Sequence, residues 1–510
     1  MKQPIINTEM NNTQNTSEVQ QLSEQPVIVG LDIGTTKVVA IAGRKNEFGK
    51  LEILGFGEAE SNGVNHGVVQ NIDQCIRSIH LAIDNCIASN PNLDINEVYV
   101  GIAGQHIKSI QTRGDRVRAV TDDEITKEDI DLLIKDQMKT YIPAGDQIID
   151  IIPQDYIVDN TPNVINPVGM SGVKIGANFH IITGDKNAIK NIKRCVDKSD
   201  LHTIDLVLQP LASAASVMNP EDLEMGVAIV DIGGGTTDIA VFYDGMLKHT
   251  AVISYAGTNI TEDIRIGLGV LRYQAEAMKT QFGRAMASEA KENEYITIPG
   301  LRGLPPKEIS AKNLAYIIEA RMKEILDYVM YHLKQINLDK RLHGGIILTG
   351  GGSQLKHIIQ LTEFTTGMNA RIGYPIEHLA GGHADALRHP KYATCIGLIL
   401  RGYSDFEEGK LDKVGLNSEL HHKKLSPTGA IENTKIKAHQ AAPAELPKAE
   451  IAPKANEVKE EEEFMEEEVI KAVKIKKPKN TGRSETIKKI FGSFKNGFMN
   501  LFEDPEDQQI

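Results

Sequence analysis

Two stretches of the chain repeat one arrangement of chemistry-bearing residues. The first reads Ile28-Val29-Gly30-Leu31-Asp32-Ile33-Gly34-Thr35-Thr36-Lys37-Val38-Val39, and the second Ala228-Ile229-Val230-Asp231-Ile232-Gly233-Gly234-Gly235-Thr236-Thr237-Asp238-Ile239-Ala240. Each is an apolar β-branched run, an Asp, a glycine–threonine turn and a second apolar run, the pattern of a β-hairpin. An Asp ending a buried strand puts a carboxylate at the turn. Glycines let the backbone approach a ligand closely, and the exposed N–H groups form an anion cradle to which Thr hydroxyls add donors. A triphosphate carried with Mg²⁺ needs both kinds of partner: amides for the phosphate oxygens and carboxylates for the water shell of the metal. One such turn is an ordinary hairpin. Two with D-I-G and T-T in each point to a clamp closing on a phosphate chain from both sides, with Asp32 and Asp231 facing the Mg²⁺ through water and Gly34, Thr35, Thr36 and Lys37 opposite Gly233, Gly234, Gly235, Thr236, Thr237 and Asp238.

A third element fits the same site. Gly345-Ile346-Ile347-Leu348-Thr349 reads as a buried strand, and Gly350-Gly351-Gly352-Ser353 follows, before an expected helix from Gln354-Leu355. Alone, GGGS is a plain strand-to-helix turn. After two phosphate-type turns, it reads as a surface on which a base or ribose lies against bare backbone. Other nucleotide and catalytic motifs are missing. Gly30 to Lys37 does not fit the P-loop spacing, and G-G-G-T-T-D lacks the last glycine of the dinucleotide fingerprint. There is no HExxH and no GxSxG, and His378 and His383 are expected to be packing or surface residues.

These turns need a large scaffold. A chain of 510 residues is too long for one core, and its 41% hydrophobic and 25% charged residues are ordinary for a globular protein. A formal charge of −13 argues against nucleic acid as a partner, because no basic surplus exists to displace counterions. Cys75, Cys86, Cys195 and Cys395 stand far apart without a CxxC pair, which suits a reducing compartment and excludes a disulfide framework. The polar N-terminus has no signal-peptide core, and no apolar run is long enough to span a bilayer. Residues 1–26, rich in Asn, Gln, Ser and Thr, read as a disordered tail. From Val27 to Gly402, short apolar runs alternate with helical patterns such as Leu314 to Leu333. This implies an α/β fold, and the repeated hairpin implies that it is duplicated into two lobes. Beyond it, residues 403–485 lose periodicity and include Glu460–Glu463 and Glu466–Glu468, the mark of a self-repelling linker.

From Ile487 the sequence reads IKKIFGSFKNGFMNLFED. Ile487, Ile490, Phe491, Phe494, Phe498, Leu501 and Phe502 fall on one helical face, flanked by Lys488, Lys489 and Lys495. Upstream, Lys471, Lys474, Lys476, Lys477, Lys479 and Arg483 make a basic approach suited to anionic headgroups. Gly492 and Gly497 each weaken the free helix by about 1 kcal/mol, so a helix over 486–503 is expected to form when it meets an interface. Docking on the protein's own body or on a partner protein is the alternative.

The three turns resemble the phosphate and adenosine turns of the actin, Hsp70 and sugar-kinase superfamily. Within it the chain is similar to the FtsA family of bacterial cell-division proteins over residues 27–402. The likeness rests on Ser61-Asn62-Gly63-Val64 with Gly67-Val68-Val69, Val98 to Gly104 running into His106, Asn166 to Gly172, and Tyr392 to Leu398. The resemblance implies an actin-like two-lobed fold with ATP and Mg²⁺ in the cleft. It implies a first lobe of residues 27–107 and 186–222, a family-specific subdomain at 108–185, a second lobe of 223–257 and 331–402, and a further subdomain at 258–330. Glu276 and Lys279 match the helix beside the ribose. They are equally an i, i+3 surface ion pair. Gln209-Pro210-Leu211-Ala212 matches the segment that positions the attacking water. Many relatives carry Glu there, so with Gln209, a poor proton acceptor, hydrolysis is expected to be slow.

The resemblance further implies polymerisation with copies of itself and recruitment of later division proteins through 108–185. It also implies capture of the FtsZ C-terminal tail at 258–330, where Arg321 and Glu324 lie on the expected docking helix. The site of action would be the cytoplasmic face of the inner membrane at the septum. A small-molecule kinase on the same fold is the rival, but no motif for its catalytic base appears. An Hsp70-like chaperone would need a β-rich domain that the linker leaves no room for.

Overall fold

The computed structural model describes residues 25–118, 123–300, 305–380, 384–411 and 418–419. The N-terminal tail to residue 24, the linker beyond 419 and the amphipathic segment from Ile487 to Phe502 lie outside the described residues.

The first hairpin forms because both its arms are apolar. Ile28–Ile33 (β1) is buried along its whole length, and Lys37–Lys45 (β2) pairs with it antiparallel, Asp32 opposite Val39. Leu51–Glu60 (β3) adds to β2 antiparallel, and Glu97–Ile102 (β4) lies parallel on the other side of β1. Helix α1 (Ile72–Ser89) is capped by Asn71, whose side chain accepts from Gln74 N–H. It buries Cys75, Ile79, Ala82, Ile83 and Cys86, a stripe at helical spacing, against this sheet.

The chain then leaves for an inserted sheet of its own. Ile107–Val117 (β5), Asp146–Val158 (β6), Thr161–Val164 (β7) and Lys174–Asp185 (β8) pair in the order β7-β6-β8-β5, all antiparallel. Helix α2 (Lys127–Gln137), closed by a Thr126–Asp129 capping box, covers a separate small core around Phe179, Leu133 and Ile175. Helix α3 (Lys186–Asp197) returns the chain to the first lobe, where His202–Leu208 (β9) completes the order β9-β4-β1-β2-β3.

The second hairpin rebuilds that sheet. Val227–Ile232 (β10) is wholly buried, Thr237–Tyr243 (β11) and Met246–Ile253 (β12) follow antiparallel, and Ile346–Thr349 (β13) with Ala370–Ile372 (β14) lie parallel beyond it. The order β14-β13-β10-β11-β12 matches the first lobe strand for strand and direction for direction. The central strands have helices on both faces and are apolar without alternation, as such strands must be. Truncating a fully buried centre such as Leu31 to Ala costs about 2–5 kcal/mol.

Helices α4 (Gln209–Val217) and α8 (Ala393–Glu407) pack side by side between the sheets, Ser213 Oγ lying 2.9 Å from Thr394 Oγ1. The inserted sheet also touches the second lobe. Gln154 Nε2 donates to Leu247 O at 2.7 Å, and His180 Nε2 lies 2.8 Å from Thr250 Oγ1.

Three expectations need correction. Helix α8 runs on to Glu407, past the linker start expected at 403: Tyr403 is fully buried and its hydroxyl donates to Pro26 O at 2.6 Å. Helix α7 (Ala311–Gln335) crosses the subdomain boundary expected at 330, because Val329 and Leu333 continue its buried stripe. After Gly350 the chain makes a short 3₁₀ turn, Gly351–Gln354, and the next α-helix starts at Ile358 rather than at Gln354.

Candidate functional site: a cleft between two mirrored turns

Both hairpins end at one cavity of about 620 Å³. The turns are closed identically: Gly34 N–H donates to Lys37 O, and Gly233 N–H to Thr236 O, each at 3.0 Å. They also touch. A Cβ on Gly234 would lie 2.4 Å from Thr36 Cγ2, and one on Gly235 would lie 2.3 Å from Thr35 Oγ1. Neither glycine can carry a side chain while the turns stand this close.

Asp32 and Asp231 end β1 and β10 and line the cavity nearly buried. Asp32 Oδ1 accepts from Gln209 Nε2 at 2.8 Å. Asp231 Oδ2 accepts from Ser213 Oγ at 2.6 Å and Thr394 Oγ1 at 3.3 Å. Burial pushes the Asp32 carboxyl up to about 6, against the Lys37 charge and with help from Asp231. Burial also raises Asp231. Asp238 accepts from Thr236 Oγ1 at 2.9 Å, while its Oδ1 is buried without a partner. Desolvation, then repulsion from Asp231 and Asp32, pushes it up to about 8. Burial is the largest cause of all three shifts, and among the described residues no group of three or more acids, histidines or cysteines could hold a metal ion. Lys37 is the counter-charge, its ammonium donating to Lys391 O and lying 4.8 Å from the Tyr392 ring centre. Burial pulls its pKa down.

The structure brings most of the expected residues to this cavity: Asp32 to Lys37, Gln209, Asp231, Gly233 to Thr236, Asp238, Glu276, Lys279 and Gly350 to Gly352. Glu276 and Lys279, on α6 (Arg272–Phe282), form an ion pair at 2.8 Å and line the cavity. Lys279 Nζ is further fixed by Gly257 O at 3.0 Å and Thr261 Oγ1 at 2.8 Å. Gly350 needs its positive φ of 79°, and a Cβ there would lie 2.2 Å from Asp231 Oδ1.

Two expected residues turn away. Thr237 is fully buried in the second lobe with Oγ1 donating to Tyr255 O at 2.8 Å, because strand alternation points it opposite to Thr236 and Asp238. Ser353 is buried as well and closes its own turn by donating to Gly350 O at 2.8 Å.

Arg321 and Glu324 stand on α7, away from the cleft. The guanidinium is paired with Asp263 at 2.6 and 3.1 Å and with Glu324, and lies 5.3 Å from the Tyr255 ring centre.

Sequence reasoning missed Ser213 and Thr394, which hold Asp231, and Gly67, Lys356, His389 and Lys391, which line the cavity. Ser213 sits in ordinary helical sequence, and Thr394 lies inside the family-like run Tyr392 to Leu398 without a signal that its hydroxyl reaches Asp231. Lys391 stands one residue before Tyr392, where the last of the family-like motifs begins.

Duplicated sheets around a cleft with one Asp-glycine turn from each define an actin-like protein. The fold is shared with a chain of the PilM–PilN type IV pilus biogenesis complex, at a TM-score of 0.55 and 15% identity over 74% of this chain and 98% of that one. The narrower assignment comes from sequence. The family model "Cell division protein FtsA" matches residues 228–397, and "SHS2 domain inserted in FTSA" matches residues 104–183, the inserted sheet. Cell division protein FtsA of Pseudomonas aeruginosa is 39% identical over 383 residues, 75% of this chain and 91% of that protein. The Escherichia coli K12 protein of that name is 32% identical over 397 residues, 76% of this chain and 93% of its own. The chain belongs to the FtsA family of cell-division proteins. Among the described residues no helix is long and apolar enough to cross a membrane.

Proposed function

We propose that this protein binds ATP in the cleft, polymerises through its actin-like body, and tethers FtsZ filaments to the cytoplasmic face of the membrane at the division site. The observation that carries the nucleotide step is the pair of Asp-ended turns, Asp32 and Asp231, lining one cavity with Gly350 to Gly352 beside them. A hydrated Mg²⁺ arriving with the nucleotide would be held through water by Asp32 and Asp231, whose carboxyls must ionise to take it, and would offset the phosphate charge. The backbone of the two turns takes the phosphates. Glu276, Lys279 and the Gly350 loop take the adenosine.

Gln209 acts as an orienting amide: its Nε2 is committed to Asp32, which leaves the amide oxygen as the end that a water can donate to. An amide accepts a proton very poorly, so any hydrolysis is slow and the role is that of an adaptor. Closure of the lobes on ATP biases assembly by shifting a population of open and closed forms. Residues 258–330 take the FtsZ tail, 108–185 recruit later division proteins, and 486–503 hold the membrane by the Phe- and Ile-rich face.

The test is co-sedimentation with anionic liposomes, with and without ATP and Mg²⁺, followed by an FtsZ-tail peptide. ATP-dependent assembly on vesicles that captures the peptide is expected. A protein that stays in the supernatant and ignores the peptide refutes the reading. Removing residues 486–510 is expected to release it from the vesicles.

A further inference from the structure

The tight turn between Val64–Asn65 and Val68–Val69 belongs to the first lobe. Val64 pairs with Val69 and Asn65 with Val68, leaving His66 and Gly67 as a two-residue loop with φ of 46° and 73°. That backbone twist suits a tight hairpin. The loop is pinned from beneath: Gln70 and Asn71 N–H donate to Gly63 O at 2.8 and 3.0 Å, and Gly67 N–H donates to Thr35 Oγ1 at 3.3 Å. From this base, the His66 ring reaches across the cleft, its Nδ1 lying 2.7 Å from Gly235 O. A carbonyl only accepts, so Nδ1 carries the proton.

Gly235 ends the glycine triplet of the second-lobe turn, and all three carbonyls of that triplet are held from outside. Gly233 O accepts from Gly257 N–H at 3.1 Å, and Gly234 O from Thr258 N–H at 2.7 Å. Both donors begin helix α5 (Gly257–Leu268) of the same lobe. The third carbonyl, Gly235 O, takes its bond from His66 in the other lobe. In a trans peptide the N–H of the next residue points opposite to the C=O. Holding these three carbonyls therefore sets the N–H directions of Gly234, Gly235 and Thr236, the donors a phosphate would meet.

We propose that His66 is a cross-cleft positioning residue: by donating to Gly235 O from the first lobe, it completes the anion cradle of the second lobe only when the lobes are closed. Lobe closure and phosphate affinity then share one hydrogen bond. The link to phosphate rests on the nucleotide reading above; the link between the lobes does not.

The test uses the full chain with His66→Asn and His66→Gly. Both tolerate the left-handed backbone at this position. The Asn amide donates from near the place of Nδ1, whereas Gly donates nothing. Affinity for a fluorescent ATP analogue and hydrogen exchange of residues 233–236, with and without nucleotide, are measured for each. H66G is expected to bind roughly fivefold more weakly, as loss of one ordinary hydrogen bond predicts, and to exchange faster at 233–236 even without nucleotide. H66N is expected to restore both.

H66G that binds and exchanges like the native protein overturns the proposal. So does H66N that fails as badly as H66G, since loop shape rather than the donor would then matter. If the native protein binds no nucleotide, the nucleotide reading falls, and exchange in the nucleotide-free variants still decides whether His66 holds the turn.

Discussion

Gln209 Nε2 donates to Asp32 Oδ1 at 2.8 Å, so the amide at the start of the interlobe helix α4 is tied to the carboxylate of the first turn. An amide can do this at any pH; a carboxylate cannot. In Gln209→Glu, two carboxyls would share one contact in a site that already pushes Asp32 up to about 6. Like charges this close cannot both ionise, so the pair titrates high in the folded protein. A raised folded-state value means stability is full below the unfolded value of about 4 and is lost as pH climbs towards the folded one. Nucleotide-free Q209E is therefore expected to melt below the native protein at pH 8, by about 1.4 kcal/mol for each unit of added shift, with the gap closing towards pH 4. Equal melting across that range would show that the introduced carboxyl turns away from Asp32.

Asp238 makes a sharper pH argument. Its carboxyl is pushed up to about 8 by burial and by Asp231 and Asp32, and its Oδ1 has no partner. Between about pH 4 and 8 the unfolded chain ionises this group while the folded protein keeps it protonated, so the native protein loses stability over that window and levels off above it. Asp238→Asn removes the titration but keeps the acceptor for Thr236. The stability difference in favour of D238N is expected to grow with pH by up to about 1.4 kcal/mol per unit and to flatten near pH 8. A difference that stays constant from pH 5 to 9 would mean that Asp238 is ionised throughout.

How much of this is legible in the sequence follows from where each signal lies. The two turns are readable because phosphate-type chemistry needs Asp, Gly and Thr in consecutive positions, and the duplication repeats them. Strand alternation is equally local, yet reading the T-T pair as a unit, rather than as one inward and one outward residue, puts Thr237 on the wrong side of β11. The contacts of Ser213 and Thr394 with Asp231 are invisible in the sequence, even though Thr394 lies in a family-like motif: they form only because α4 and α8, far apart along the chain, pack side by side. The C-terminal end of the globular part is hidden for a related reason. Ser404 and the acids after it look like linker, while Tyr403 is buried by contacts with Pro26 and Lys45 at the other end of the chain.

The closeness of the two turns separates binding from stability. An Ala at Gly235 collides with Thr35 across the cleft, a clash that opening the lobes relieves. An Ala at Gly350 collides with Asp231 and the Ile232 backbone inside one lobe, at a φ of 79° that side chains resist. Gly235→Ala is thus expected to weaken ATP binding at least tenfold with little change in melting. Gly350→Ala is expected to cost about 2–4 kcal/mol of stability from overpacking and backbone strain together. Calorimetric melting alongside nucleotide titration checks both, and a G235A that destabilises as much as G350A would contradict the wedge.

Arg321 tests the proposed FtsZ-tail surface, and its surroundings dictate which variant is informative. The guanidinium is already held by a two-pronged pair with Asp263, by Glu324 one turn along α7, and by the Tyr255 face, and only 20% of its side chain is exposed. An acidic group on a tail must therefore compete with Asp263 for it. Arg321→Glu alone is ambiguous, because a third acid beside Asp263 and Glu324 also loosens the contact between α5 and α7. Asp263→Asn removes the competitor and keeps the shape. If Arg321 receives the tail, D263N is expected to tighten peptide binding several-fold, since one charged competitor is gone, while R321E abolishes it. Should D263N leave the peptide affinity unchanged and R321E lower only the melting temperature, the Arg321 cluster is a structural clasp between two helices and the tail docks elsewhere on residues 258–330.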